Sequence, residues 1–126
     1  LGGARDGAGG SSSMADQVVA EIKAMGGQAV ANYASVATME GARSIVQSAL
    51  DAFGRADILV NNAGILRDKT FLKMEEGMWD LVIAVHLKGT YLCSQVFAEH
   101  VRVRAEKGDK GGRIINTSSY AGLMGN

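Results

Sequence analysis

Asp57-Ile58-Leu59-Val60-Asn61-Asn62-Ala63-Gly64 is the stretch on which the fold turns. Its centre, Ile58-Leu59-Val60, is apolar without alternation, the pattern of a strand covered on both faces in a parallel sheet. The Asn-Asn-Ala-Gly that follows breaks the strand and puts small residues and two side-chain amides at its carboxyl end. Ligands of open α/β sheets bind at that end. A plain turn is the competing reading of these residues, because Asn and Gly are common turn formers. Their place directly after a buried strand favours the ligand reading.

Outward from this strand the chain alternates. Toward the C-terminus, residues 76–107 read as a long helix with Trp79, Leu81, Val82, Val85, Leu92, Val96 and Val101 apolar and a bend at Gly89-Thr90. Gly111-Gly112 stops it, and residues 113–118 (RIINTS) form a short β-branched strand that delivers Thr117-Ser118-Ser119 to its end. A serine there can donate a hydrogen bond to a reacting oxygen, although a serine run alone is more often a cap or turn. Toward the N-terminus, Ala42, Ile45, Val46, Ala49, Leu50 and Phe53 make a helical stripe with Gly54 at the C-cap position.

Residues 28–33 (QAVANY) suit a short buried strand. Met14, Val18, Ile22 and Met25 recur at helical spacing, with Ser13 and Asp16 as a capping pair and Gly26-Gly27 as the stop. Residues 1–13, rich in Gly and Ser, read as a loop. Strands separated by helices of this length need crossover connections. The economical arrangement is therefore an α/β fold, a parallel sheet with helices on both faces.

The 126 residues allow one domain, and 13 Lys+Arg against 13 Asp+Glu leave no net charge to draw the chain to nucleic acid or an anionic membrane. No apolar run approaches the roughly 18 residues that span a bilayer. The single Cys93 excludes an internal disulfide and reads as a buried, inert thiol in a reducing compartment. Trp79 reads as a core anchor and the methionines as gap fillers. The basic stretch 102–110 is interleaved with Glu106 and Asp109, so it reads as a solvated helix end. The chain starts at Leu1 rather than Met, so segments upstream are outside its view.

Residues 57–65 (DILVNNAGI) and 112–119 (GRIINTSS), with Trp79-Asp80 and Lys88-Gly89-Thr90 between them, resemble the short-chain dehydrogenases/reductases, and the resemblance runs the length of the chain. Leu1-Gly2-Gly3, Ala31-Asn32-Tyr33 and Gly64-Ile65-Leu66-Arg67-Asp68 are most similar to two subgroups. These are the dehydrogenase domain of multifunctional 3-hydroxyacyl-CoA enzymes and the 3-oxoacyl-acyl-carrier-protein reductases. On this resemblance, residues 1–126 are the central part of a single domain with a Rossmann-like α/β fold, a doubly wound parallel sheet with helices on both faces, incomplete at both ends. It implies an oxidoreductase that moves hydride between NAD or NADP and a secondary alcohol or ketone on an acyl thioester.

The resemblance sets Asn62, Ala63 and Gly64 against the ribose and nicotinamide side of the cofactor and Ser35 and Val36 beside the adenine. It makes Ser119 the catalytic serine that holds the substrate oxygen while a tyrosine, lowered in pKa by a lysine, acts as general acid/base. That Tyr-x-x-x-Lys pair is expected just past Asn126, and Tyr120 does not stand at its spacing. The glycine-rich pyrophosphate turn is expected upstream of Leu1. Ala34 stands where the family commonly places an Asp beside the adenine. Arg5 can face a 2′-phosphate and favour NADP, whereas an acidic residue favouring NAD belongs just before Leu1.

His86 stands where most of the family have an Asn that organises a proton relay, and the multifunctional subgroup also carries His there. A histidine can relay protons; a structural role on the helix is the alternative.

The implied partners are a small-molecule acyl thioester and further copies of the full-length parent in a homodimer or homotetramer, with no nucleic acid and no membrane. The implied compartment is the cytoplasm, or the peroxisome in a eukaryote. Two alternatives stand beside the enzyme: a nucleotide-binding regulatory domain that kept the fold and lost the chemistry, and an oligomerisation piece packed through the long helix. Without flanking strands, Ile58-Leu59-Val60 has bare edges, so the isolated 126-residue chain is expected to be loosely folded or aggregation-prone, and inactive. A thermal melt tests this, and a sharp cooperative transition contradicts it.

Overall fold

The computed structural model describes residues 12–125. Its centre is a parallel pair of strands, β1 (Ile58–Asn61) and β2 (Arg113–Asn116), in the register Ile58 with Arg113, Leu59 with Ile114, Val60 with Ile115 and Asn61 with Asn116. Arg113 N donates to Asp57 O and Thr117 N to Asn61 O, at 3.0 and 3.2 Å, extending the ladder at either end. Parallel neighbours require a crossover, and a helix of 31 residues, Glu76–Glu106, supplies it. It comprises α3 (Glu76–Ile83), a π-helical turn (Ala84–Lys88) and α4 (Gly89–Glu106).

Helix α1 (Ser12–Ala24) precedes this unit, α2 (Met39–Phe53) packs on α4, and a short α5 (Ala121–Met124) follows β2. Thr38 caps α2 by accepting from Gly41 N at 3.0 Å, and Gly54, at φ 81°, closes it with an N–H to Leu50 O bond. The core forms where α4 lies over β1 and α2. Val36, Ala42, Val85, Leu92 and Cys93 are buried there, with Leu59, Ala63 and Ile65 packed against them. Cys93 is 3% exposed, and burial pushes its thiol up, which fits the inert thiol expected.

The fold is α/β with a parallel sheet, as expected, and several local expectations need correction. Residues 28–33 form no strand among the described residues, because a strand exists through a ladder partner and none is described beside this segment, whose Asn32 side chain bonds Ser44 and Ser48. β1 is covered on one face only: Leu59 is turned to the core, while Ile58 and Val60 are 62% and 55% exposed. Trp79 is no core anchor, at 60% exposed, and Met14, Met25 and Met124 lie on the surface rather than filling gaps.

Ser12 and Ser13 are helical residues of α1 rather than part of a loop, and Ser13 does not precede the helix as a cap would. Asp16 bonds the Tyr33 hydroxyl. The rest of the expected opening loop, with Leu1-Gly2-Gly3 and Arg5, lies outside the described residues.

The long helix runs unbroken across an apolar window that contains polar residues. By length and composition it is able to cross a membrane, with a window of mean hydropathy 1.3. Val85, Leu92, Cys93 and Phe97 are buried against the rest of the fold, while Trp79, Leu87 and Tyr91 are exposed.

The basic stretch 102–110 divides by burial. Arg102 is solvated between Glu99 and Glu106, each at 2.6 Å. Arg104, with its side chain 11% exposed, reaches Asp57 at 3.4 Å and Asp109 at 3.3 Å and donates to Ala56 O and Gly111 O. Arg55 joins the same two carboxylates, and its guanidinium holds both below the usual carboxylate range. This knot binds the amino ends of both strands to the end of α4, opposite the end where ligands bind such sheets.

Candidate active site

The register of the ladder decides what meets at the carboxyl ends of the strands. Asn61 and Asn116 are Cα partners. Asn61 Nδ2 donates to Asn116 Oδ1 at 2.9 Å and to Ser94 Oγ at 3.1 Å, tying both strand ends to α4. One residue further out, Thr117 Oγ1 donates to Asn62 Oδ1 at 2.9 Å. The loops leaving β1 and β2 are thus bonded to each other before they diverge. Ser119 stands two residues beyond Thr117, exposed, its Oγ accepting from Ala121 N at 3.2 Å in the turn that starts α5. That bond occupies a lone pair and leaves the hydroxyl proton free to be donated.

The loop after β1 is gripped from the other side by His86. Its Nε2 lies 3.0 Å from Ile65 N and 2.8 Å from Ile65 O. One ring nitrogen accepts from the N–H or donates to the carbonyl according to tautomer, so either tautomer fixes the ring to the Ile65 backbone. The fit depends on Gly64, where a Cβ would stand 2.7 Å from His86 Cε1. His86 lies in the π-helical turn, and Thr90 Oγ1 donates to His86 O at 2.7 Å. Such turns interrupt α-helices frequently at functional sites.

On the adenine side of the expected site, Ser35 is exposed and its Oγ accepts from Ala37 N at 3.1 Å. Val36 is buried, and with Asn61 and Ala63 it lines a void of about 10 Å³ against α4. Its side chain belongs to the core, so contact with a ligand there falls to its backbone. The structure brings Val36 and Ala63 together, joins the loops of Asn62 and Ser119 through Thr117, and sets His86 on Gly64. No hydrogen bond among the described residues joins Ser119 to His86.

Thr117, Asn116, Ser94 and Thr90 were not singled out as partners from sequence. The hydroxyl-rich end of residues 113–118 pointed at Thr117 and the Lys88-Gly89-Thr90 stretch at Thr90, whereas Ser94 carried no local signal. A flat, polar cofactor fits this edge. Asn62, Gly64 and Ser35 are exposed along it.

The Gly64–His86 contact yields a coupling test. In the complete domain, Gly64→Ala is expected to cost about 1–3 kcal/mol in denaturant unfolding by overpacking. Combined with His86→Ala, it should add almost nothing, because the methyl then meets empty space. Additive losses in the double variant would show that the two residues do not compete for one volume.

A family model described as short chain dehydrogenase matches residues 7–126. The chain is 56% identical over its 126 residues to the peroxisomal multifunctional enzyme A of Dictyostelium discoideum, covering 27% of that protein. Over 116 residues it is 45% identical to a 3-oxoacyl-[acyl-carrier-protein] reductase of Synechocystis sp., covering 92% of this chain and 45% of that one. A crystal structure of a short chain dehydrogenase from Mycobacterium avium superposes with a TM-score of 0.85 at 46% identity, over 90% of this chain and 40% of that one. The chain therefore spans less than half the length of each of these relatives. The family match over residues 7–126, on a parallel sheet whose strand ends are bonded together, means that the chain belongs to the short-chain dehydrogenase family.

Proposed function

We propose that the protein carrying this chain is an NAD(P)-dependent oxidoreductase acting on a secondary alcohol or ketone, specifically a 3-hydroxyacyl or 3-oxoacyl thioester. Residues 1–126 are then the central part of a single domain and are inactive alone. The observation that carries this reading is the bond from Thr117 to Asn62, which sets the exposed Ser119 loop beside the open Asn62-Ala63-Gly64 edge. The similarity to peroxisomal multifunctional enzymes and to a 3-oxoacyl-[acyl-carrier-protein] reductase supports the substrate class.

In this reading Asn62, Ala63 and Gly64 hold the ribose and nicotinamide side of NAD or NADP, and Ser35 and Val36 lie beside the adenine. The bound nicotinamide supplies the hydride acceptor or donor. Ser119 donates its hydroxyl hydrogen bond to the substrate oxygen, whose charge changes during reaction. Proton transfer falls to a tyrosine beyond Asn126. His86 serves by holding the Gly64-Ile65 backbone that faces the cofactor.

The complete domain assembles as a homodimer or homotetramer, in the cytoplasm or, as its peroxisomal relatives favour, the peroxisome. A second reading, a nucleotide-binding domain without chemistry, draws on the local bond of Ser119 to Ala121, which a purely structural serine also makes.

Absorbance of reduced nicotinamide decides between the two. With a 3-hydroxyacyl-CoA and NAD or NADP, the complete domain should turn over, and Ser119→Ala should lower kcat by about a hundredfold or more with cofactor affinity kept. Cofactor binding without turnover in the wild type would favour the silent domain.

A further inference from the structure

We infer that Asn32 is a positioning residue for cofactor affinity, acting through the segment Ala34-Ser35-Val36; this rests on the adenine-side reading of that segment. Asn32 is half-buried, and its carboxamide works at both ends. Oδ1 accepts from Ala34 N at 2.8 Å, which shapes the turn into the segment. Nδ2 faces Ser48 Oγ at 2.8 Å, Ser44 Oγ at 3.0 Å and Ser44 O at 3.2 Å. Ser44 and Ser48 are one helical turn apart on α2, so one side chain both forms the turn and anchors it to that helix.

The anchoring bears on the segment because Asn32 stands two residues before Ala34 and is bonded at once to the Ala34 backbone and to α2. Further along, the Ser35 carbonyl rests on α2 where Gly41 lacks a side chain: a Cβ there would stand 1.7 Å from Ser35 O. Val36 then plugs into the core. The segment is held against α2 before and after Ala34. Ala34 itself offers a ligand no polar side chain, so recognition beside it falls to backbone groups and to Ser35. The position of that backbone sets the affinity, and Asn32 sets the position.

The three obvious substitutes fail for separate reasons. Asp keeps the acceptor for Ala34 N but loses both donors to α2, Ser lacks the reach, and Ala loses both ends.

The test uses the complete domain and three variants: Asn32→Ala, Asn32→Asp and Ser48→Ala. Binding of NADH or NADPH, whichever the wild type prefers, is titrated beside reduced nicotinamide mononucleotide, which lacks the adenylate half. Asn32→Ala should weaken the dinucleotide about tenfold, the loss of one to two hydrogen bonds. Asn32→Asp should weaken it less and Ser48→Ala least, with the mononucleotide and the kcat at saturating cofactor unchanged within about twofold. If Asn32→Ala does not fold, the Asp and Ser48 variants carry the comparison.

Dinucleotide affinity within about twofold of wild type in every folded variant would overturn the inference. Equal weakening of the mononucleotide would overturn it too, since that is what general loosening produces. A wild-type domain that binds dinucleotide while these variants do not differ leaves the proposed function standing. A wild type that binds neither nucleotide overturns both.

Discussion

The parallel pairing of β1 with β2 is the constraint on which the rest depends. Because Asn61 stands opposite Asn116, the residues after each strand leave the sheet at the same level and on the same edge. A slip of one residue would turn every side chain of β2 to the opposite face and separate Thr117 from Asn62. The register is pinned at both ends by different chemistry. At the amino end the Arg104 guanidinium holds Asp57, Asp109, Ala56 O and Gly111 O together. At the carboxyl end the Asn61 amide reaches Asn116 and Ser94. The ionic knot locks geometry far from the site, so the loops at the other end can remain open.

Around that edge, positions are set by what small residues leave out. Gly64 leaves room for the His86 ring, and Gly41 leaves room for the Ser35 carbonyl. Each gap is filled by a group of a neighbouring segment, which fixes the two loops at those points. The π-helical turn contributes to the same end: it carries His86 to the Ile65 backbone, while the Thr90 hydroxyl satisfies the His86 carbonyl. The chain thus invests polar side chains, Asn32, Asn61, His86 and Thr117, in holding loops. Leu59, Val85, Leu92 and Cys93 hold the layers.

The central part of the fold was legible in the sequence because its signals are local. Unbroken Ile58-Leu59-Val60, the α2 stripe with Gly54 and the Gly111-Gly112 stop each describe an element within one turn or strand. The segment 28–33 was misjudged for a physical reason: its apolar centre looks like a strand, but strand pairing is a property of two segments and its partner is not among the described residues. Trp79 misled because an apolar residue at helical spacing does not say whether anything covers it.

In the site, strand-end position pointed to Asn62, Ala63, Gly64 and Ser119, and the family resemblance assigned them roles. Composition had no means of pairing Thr117 with Asn62, Asn32 with Ser48, or His86 with Ile65, because these contacts span from 16 to 55 residues. The π-helical turn was likewise invisible, since its residues read as ordinary helix.

The central claim is that the carboxyl ends of β1 and β2, with the segment after Tyr33, form one cofactor edge. The most direct measurement is amide chemical-shift mapping of the isotope-labelled complete domain during titration with NADH. The account predicts that the largest changes fall on Ser35, Val36, Asn62, Ala63, Gly64 and Ser119. Changes confined to the opposite end, around Asp57, Arg104 and Asp109, or no changes at all, would contradict it.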